Sequence, residues 1–249
     1  MLMMIVAALL AADQTFLTAV KNRDVDTVRS MLAADPSLAK TKNEKGTSAV
    51  MLALFALRKG DESFPDPTTN ATLQAILERK PPLDIYETAA LGASQQLESM
   101  LRGDPDALKR PNGFGWTLLH FAAFGGNTAN TELLIRRGAD VNARAKSKFR
   151  NTPLQTALLS GQYATAKVLL ENGADALVRQ AEGITPMHEA AQSGRADIVE
   201  LLLANGAEIN SMDDAGRTPL ALAVKAKRDD VVTMMKAKGA RIEAAKAEE

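Results

Sequence analysis

The chain has 249 residues, and its thirty basic and thirty acidic side chains cancel. This balance lacks the basic excess that favours nucleic acid or an anionic membrane surface, so neither is an expected partner. Cysteine is absent, which excludes disulfides and thiolate metal sites and is compatible with either an oxidising or a reducing compartment.

The N-terminal segment 1–12, MLMMIVAALLAA, has no polar or charged side chain. Its length fits the apolar core of a secretory signal and is too short for a transmembrane helix. Against a signal, no Lys or Arg precedes the run, and Leu10 stands where a small residue is expected. Two interpretations stay open: a signal peptide of a periplasmic or secreted protein, or an apolar extension of the first helix in a cytoplasmic one.

The segment 13–111 has helical apolar patterns with irregular spacing. A first helix pair ends at Asp35-Pro36, because a proline disfavours helix in the residue before it. A second pair starts at Gly46-Thr47 and has its second helix over 72–79. Between its helices, the prolines and short polar residues of 58–70 predict an insertion. A third pair follows Pro82 almost directly, which indicates that a connecting hairpin is missing there.

The segment 112–242 repeats two landmarks at a nearly fixed interval. The four threonines are spaced by 35, 33 and 33 residues, and four Gly-Ala pairs have the same three intervals. The threonines are Thr117, Thr152, Thr185 and Thr218, and the pairs begin at Gly138, Gly173, Gly206 and Gly239. Two landmarks that agree on one period identify a structural repeat.

The unit that starts at Thr185 explains this period physically. The Thr185 hydroxyl can accept from the first free N–H groups of a helix, and Pro186 loses no hydrogen bond in the first turn. Gly194 can adopt the left-handed conformation that ends this helix. A second helix follows, and its apolar stripe is formed by Ile198, Val199, Leu202 and Leu203. One unit cannot bury this stripe alone, so units must stack.

The pattern Thr-Pro-x-His-x-Ala-Ala, followed by Leu-Leu-x-x-x-Gly-Ala with a 33-residue period, resembles the ankyrin repeat, in a bacterial-type protein. The resemblance implies an all-α solenoid of stacked helix-turn-helix units with short β-hairpin fingers. We expect about seven units over 13–242, fingers after the fourth, fifth and sixth, and a polar tail at 243–249. It also implies a non-enzymatic scaffold without a cofactor, which binds a protein partner through the concave face. We expect the protein to be monomeric.

Aromatic residues mark the expected binding face in the fourth unit. In the family pattern, the residues before the threonine and after Ala-Ala point to the concave face, which here places Phe114, Trp116 and Phe124 there. Exposed aromatic clusters are typical of interface hot spots. The alternative is that Phe121 and Phe114 pack inward or onto the gap that the missing finger of the third unit leaves.

The finger after the fourth unit is two residues longer than the next two fingers. We name residues 144–150 the basic finger, since Arg144, Lys146, Lys148 and Arg150 alternate along it, and Phe149 adds an aromatic ring. These residues are candidates for contact with an acidic partner surface. The alternative is an ordinary solvated loop.

Catalysis is not expected, because His120 and His188 occupy the structural histidine of the pattern, and the sequence has no nucleophile or phosphate-loop motif. Two other functions stay open. One is an enzyme or small-ligand binder that uses the groove beside the 58–70 insertion. The other is a protective accessory protein of the bacterial envelope.

Overall fold

The computed structural model describes residues 2–56, 69–113, 115–147 and 150–242, with side chains from Ala11 onward. Within these ranges fourteen α-helices follow one another as seven pairs, and no strand is present. The helices are α1 (Leu2–Lys21), α2 (Val25–Ala34), α3 (Ala49–Leu54), α4 (Ala71–Leu77), α5 (Ile85–Leu91), α6 (Ser94–Gly103), α7 (Leu118–Gly125), α8 (Thr128–Arg136), α9 (Pro153–Leu159), α10 (Tyr163–Glu171), α11 (Pro186–Ser193), α12 (Ala196–Ala204), α13 (Pro219–Lys225) and α14 (Asp229–Ala237). Three short 3-10 turns span Pro36–Lys40, Pro105–Leu108 and Ala181–Gly183.

The helices form two compact units, residues 1–87 and 88–249. In the first unit, α1 packs against α2 and α3, and α2 and α3 pack against α4. In the second unit, the first helices α7, α9, α11 and α13 pack in succession, and the second helices from α6 to α14 form a parallel row. Each pair therefore buries its apolar stripe against its neighbours, and the predicted all-helical ankyrin fold is confirmed.

The Thr-Pro landmark starts helices as predicted. Thr185 precedes α11 in an extended conformation, and Pro186 is the first residue of that helix. Gly194 ends α11 with φ of 81°, a left-handed conformation that favours glycine. The apolar stripe of α12 is buried through Ile198, Val199 and Leu202. The regular spacing of the landmarks thus reflects helix starts and ends.

The connections between pairs are tight turns, and no described part of them is a strand. The turn before α13 is typical: the Asp213 N–H donates to the Arg217 carbonyl at 3.0 Å, and the Gly216 N–H donates to the Asp213 carbonyl at 3.0 Å. The same two bonds close the turns at 43–47, 112–116 and 180–184. The fingers expected after the fifth and sixth pairs are therefore hydrogen-bonded turns and not strand hairpins, and turns of the same kind follow the first and third pairs.

Two segments bear on the predicted domain limits. Helix α1 runs without a break through the boundary between residues 12 and 13. The predicted insertion lies almost wholly outside the described residues, and Asn70 at its end caps α4 by accepting from the Leu73 N–H at 3.1 Å. The chain between Leu77 and Ile85 is shorter than the one between Ala204 and Pro219, in the place where a finger was expected to be missing.

Asparagine side chains join consecutive pairs at two junctions, a feature that the sequence reasoning missed. The Asn142 amide donates to the Gly173 carbonyl at 3.2 Å and accepts from the Asp175 N–H at 2.8 Å. Asn210 makes the same two bonds with Gly239 and Arg241, at 3.2 and 2.8 Å. Both asparagines stand four residues after a landmark glycine, which is the signal that could have found them.

The junction between the fifth and sixth pairs lacks this bridge. Leu177 stands four residues after Gly173, and its side chain is 52% exposed. Its backbone matches that of Asn142, because the N–H of each donates to the side chain of the aspartate two residues earlier, Asp175 for Leu177 and Asp140 for Asn142. An asparagine at 177 would therefore be positioned to reach the next pair.

We predict that Leu177→Asn stabilises the protein. The new amide should bond the Gly206 carbonyl and the Glu208 N–H, and a net hydrogen bond contributes about 1 kcal/mol. Urea unfolding followed by circular dichroism measures the change. The matched control is Asn142→Leu, which should lower the free energy of unfolding by a similar amount. A Leu177→Asn variant less stable than wild type would show that the fifth junction has a different geometry.

Candidate protein-binding surface

Trp116 lies at the end of the turn that precedes α7. The Asn112 side chain accepts from the Trp116 N–H at 2.9 Å, and the Asn112 N–H donates to the Trp116 carbonyl at 2.8 Å. Gly115, with φ of 81°, completes the turn. The half-buried indole packs on Phe121 and Phe124, with ring centroids 5.4 and 5.6 Å away. The turn thus holds the ring against the first helix of the fourth pair.

The exposure expected for Phe124 is wrong. Its side chain is 1% exposed, and Phe121 is fully buried. Part of the reason is that the Trp116 indole packs against the Phe124 ring, with the two rings tilted by 59°. Phe114 lies outside the described residues. Of the three aromatics expected on this face, Trp116 is the one that the structure places partly at the surface.

Leu159 occupies in the fifth pair the position that Phe124 has in the fourth, seven residues after the landmark threonine. Its side chain is 42% exposed at the end of α9. The equivalent residues of the sixth and seventh pairs are Gln192 and Lys225, so this position is polar in those two pairs. The sequence reasoning missed Leu159 because it counted aromatic residues alone, although the register was available.

The basic finger begins with an alternation of exposed and buried residues. Arg144 and Lys146 are exposed, while Ala145 between them is 3% exposed and its N–H donates to the Asn151 carbonyl at 2.9 Å. Arg150 is exposed and has φ of 55°. Lys148 and Phe149 lie outside the described residues. The finger therefore presents at least Arg144, Lys146 and Arg150 to solvent.

A backbone hydrogen bond joins the basic finger to the Trp116 turn. The Lys146 N–H donates to the Gly115 carbonyl at 3.0 Å. The two backbones approach so closely that a Cβ on Gly115 would lie 2.6 Å from the Lys146 Cβ. The structure thus brings two of the predicted contact groups, Trp116 and the basic finger, side by side.

Each of the two histidines joins the start of its own helix to the turn that follows the same helix pair. We call this arrangement a clamp. Nδ1 of His120 accepts from the Thr117 hydroxyl at 2.8 Å, and its Nε2–H donates to the Asn151 carbonyl in the next finger at 2.9 Å. His188 does the same with Thr185 and the Arg217 carbonyl. Both ring nitrogens are engaged in each case, as expected for the structural histidine of the pattern.

Gln155 makes the equivalent clamp in the fifth pair. Its Nε2 donates to the Ile184 carbonyl at 3.3 Å, and its Oε1 accepts from the Thr152 N–H at 3.2 Å.

Burial lowers the pKa of His120 to about 4, since the charged ring loses its hydration, and burial also lowers the pKa of His188. Both rings are therefore neutral near pH 7.

Glu189 is a buried carboxyl on α11. Its side chain is 7% exposed, and Oε1 accepts from the Gln180 amide at 3.0 Å. Oε2 is buried and has no hydrogen-bond partner among the described residues. Burial raises the pKa of Glu189 well above its usual value, and the bond from Gln180 opposes the shift. Although Glu189 follows His188, its one hydrogen bond goes to the finger and not to the imidazole.

The remaining predicted site concerns the groove beside the 58–70 insertion, and residues 57–68 of that segment lie outside the described residues. Across the described ranges, no group of three or more His, Cys, Asp or Glu side chains is arranged to hold a metal ion. Among the described helices, none combines the length and apolar character needed to cross a bilayer.

Stacked helix pairs, Thr-Pro helix starts and turns clamped by histidine define an ankyrin repeat array. The family model for ankyrin repeats (3 copies) matches residues 86–180 and 173–246, which is more than half of the chain. The protein belongs to the ankyrin repeat family. Arrays of this family are in general modules for protein–protein interaction and not catalytic domains.

Several known proteins share this array. The chain is 30% identical over 138 residues to the rat ankyrin repeat and SAM domain-containing protein 6, covering 55% of the chain and 15% of that protein. It is 33% identical over 111 residues to the Arabidopsis thaliana ADP-ribosylation factor GTPase-activating protein AGD2, covering 41% and 14%. It is also 33% identical over 102 residues to chicken inversin, covering 41% and 9%. The chain therefore spans only a small part of each of these relatives.

We predict that His120→Gln reduces the loss of stability in acid. Since the pKa of His120 falls from 6.5 in the unfolded chain to about 4 in the fold, its contribution is complete above pH 6.5 and is lost as the pH falls towards 4. The loss amounts to about 3 kcal/mol. Gln should keep the clamp, as Gln155 does, without titrating.

Urea unfolding of wild type and His120→Gln at pH 7.5 and 4.5 measures this difference. The variant should lose less free energy of unfolding than wild type on acidification, with the remaining loss coming from His188 and the carboxylates. Equal losses in the two proteins would mean that His120 is not buried as the structure places it.

We predict the opposite pH dependence for Glu189. Because its folded pKa is raised, its contribution is complete below its unfolded pKa and is lost as the pH rises through the folded value. Glu189→Gln should therefore be more stable than wild type at pH 8, by about 1–3 kcal/mol, the usual cost of a buried polar group without a partner. Thermal unfolding at pH 5 and pH 8 tests this. A variant that loses stability equally at both pH values would contradict it.

Proposed function

We propose that this protein is a monomeric, non-enzymatic scaffold that binds a protein partner through one face of its C-terminal unit. We define this binding face by Trp116, Leu159 and the basic finger. The observation that carries the proposal is Leu159, an exposed leucine at the register position where the preceding pair has a covered phenylalanine. The predicted contact residues Phe114, Lys148 and Phe149 belong to the proposal on sequence grounds.

The chemistry of the binding face supports a protein partner. Interface hot spots combine an apolar or aromatic anchor with surrounding polar residues that exclude water. Trp116 has a half-buried ring that is already fixed by its turn, so binding would cost it little conformational entropy. Phe124 contributes indirectly, because it supports the indole from below. The zero net charge of the chain favours protein over nucleic acid as the partner.

Affinity capture with matched leucine variants tests the proposal. The baits are the wild-type chain, Leu159→Asn and Leu177→Asn, each with verified helicity, exposed to a lysate of the source organism. Both variants replace an exposed leucine by the same polar residue, but only Leu159 lies on the binding face. A specific partner should be depleted at least about tenfold with Leu159→Asn, as expected for loss of a hot spot.

The Leu177→Asn bait should recover the same partner as wild type. Equal recovery by all three baits would contradict the proposed face, and equal depletion by both variants would indicate adhesion to exposed apolar residues rather than a specific site. Direct titration of the recovered partner against the three purified chains would then measure the difference in affinity.

A further inference from the structure

Arg144, Lys146 and Arg150 of the basic finger have no carboxylate counter-charge within the described part of the chain. Among the described residues, no carboxylate forms an ion pair with Arg144, Lys146 or Arg150, and the one side-chain bond of the three runs from Arg144 Nη1 to the Arg179 carbonyl at 3.1 Å. We call the successive turns between helix pairs the finger row. Two other cations of this row are paired with carboxylates. Arg179 pairs with Asp214 at 3.4 Å, and Arg217 pairs with the buried Asp213 at 2.7 Å.

Hydrogen bonds hold the described residues at the start of the basic finger from both neighbouring turns. Towards the preceding turn, the Lys146 N–H bonds Gly115, and towards the following one Arg144 reaches the Arg179 carbonyl. Directly after the finger, the Asn151 carbonyl accepts from both the Ala145 N–H and the His120 ring. Arg144 and Lys146 therefore project from a hydrogen-bonded base, so a ligand would have to order little of the backbone around them.

From this geometry we infer that the basic finger binds a short segment of a partner protein rich in Asp and Glu. The inference rests on the proposed function and specifies the chemistry of its partner. Carboxylates would supply the counter-charges that the fold does not, and Trp116 beside Gly115 offers an adjoining aromatic surface for an apolar residue of the same segment.

The charges of the next fingers explain why the segment is short and why it is protein rather than nucleic acid. Glu182 and Asp214 are exposed on the two following turns, which are joined by the Asp214 N–H to Glu182 carbonyl bond at 2.9 Å. A long polyanion that ran along the finger row would meet these carboxylates and be repelled. A short acidic segment can occupy the basic finger and end before them.

Binding of labelled peptides to the full chain tests the inference. The probes are a short peptide of Asp and Glu with one central Phe, its Asn and Gln counterpart, and a single-stranded oligothymidylate of similar length, each followed by fluorescence anisotropy. The acidic peptide should bind at least about tenfold more tightly than the amide peptide, and added salt should weaken it, as for exposed charges. Equal binding of the two peptides would overturn the inference, and tighter binding of the oligonucleotide would overturn the assignment to protein.

Matched neutralising variants locate the site. Arg144→Gln, Lys146→Gln and Arg150→Gln together should weaken the acidic peptide at least about tenfold. Lys225→Gln, Lys227→Gln and Lys236→Gln, which neutralise three exposed lysines of the last pair, change the net charge equally and should have less than a twofold effect. Equal weakening by both triple variants would show a general charge effect and overturn the site.

The two proposals fail separately. If Leu159→Asn loses the captured partner while the finger variant keeps it, the scaffold function and its Leu159 anchor stand, and the acidic segment is wrong. If the finger variant loses the acidic peptide while Leu159→Asn captures every partner, the finger binds acidic chains but the proposed scaffold face is wrong.

Discussion

The rest of the C-terminal unit depends on one kind of hydrogen bond. It runs from a side chain in the first turn of a helix to a backbone carbonyl in the finger that follows the same pair. His120, Gln155 and His188 each make it, and each also accepts at its own helix start from a threonine hydroxyl or N–H. One side chain thus satisfies a helix terminus and fixes the following turn. Loss of either partner would leave a buried polar group unpaired, which makes the bond costly to break. The last pair has Ala221 at the equivalent position, and there the Thr218 hydroxyl donates to the Arg241 carbonyl at 2.9 Å.

In the third pair, the side chain at the equivalent position accepts a hydrogen bond from the preceding pair instead of donating one to the following finger. Glu87 stands at the clamp position, accepts from the Asp84 N–H at 2.9 Å at its own helix start, and accepts from the Ser48 hydroxyl of the preceding pair. A carboxylate cannot donate to a carbonyl, so it faces a donor instead. Burial raises the pKa of Glu87, and the Ser48 hydroxyl opposes the shift. The fold therefore conserves the hydrogen-bonded position while the chemistry of the residue varies.

Much of the fold could be predicted from the sequence, because helix starts and ends depend on local chemistry. Thr185, Pro186 and Gly194 act as expected for their residue types. The exposure of individual side chains could not be predicted in this way. Phe124 and Leu159 share one register position, yet Phe124 is buried and in contact with the Trp116 ring of a neighbouring turn, whereas Leu159 is exposed. Such coverage depends on contacts between turn and helix, and the periodic pattern does not encode it.

Although the net charge of the chain is zero, its charged side chains are unevenly distributed along the finger row. The basic finger has exposed cations without carboxylate partners in the described chain, and the two turns that follow carry exposed Glu182 and Asp214. An ion pair such as Arg179 with Asp214, with both side chains largely exposed, contributes little to stability, so the row gains little from internal pairing. Under the proposed function its stronger effect would be on association, because a positive finger beside a negative one would select both the sign and the orientation of a charged partner. The same rigid clamps that stabilise the array also keep these charges in a fixed order.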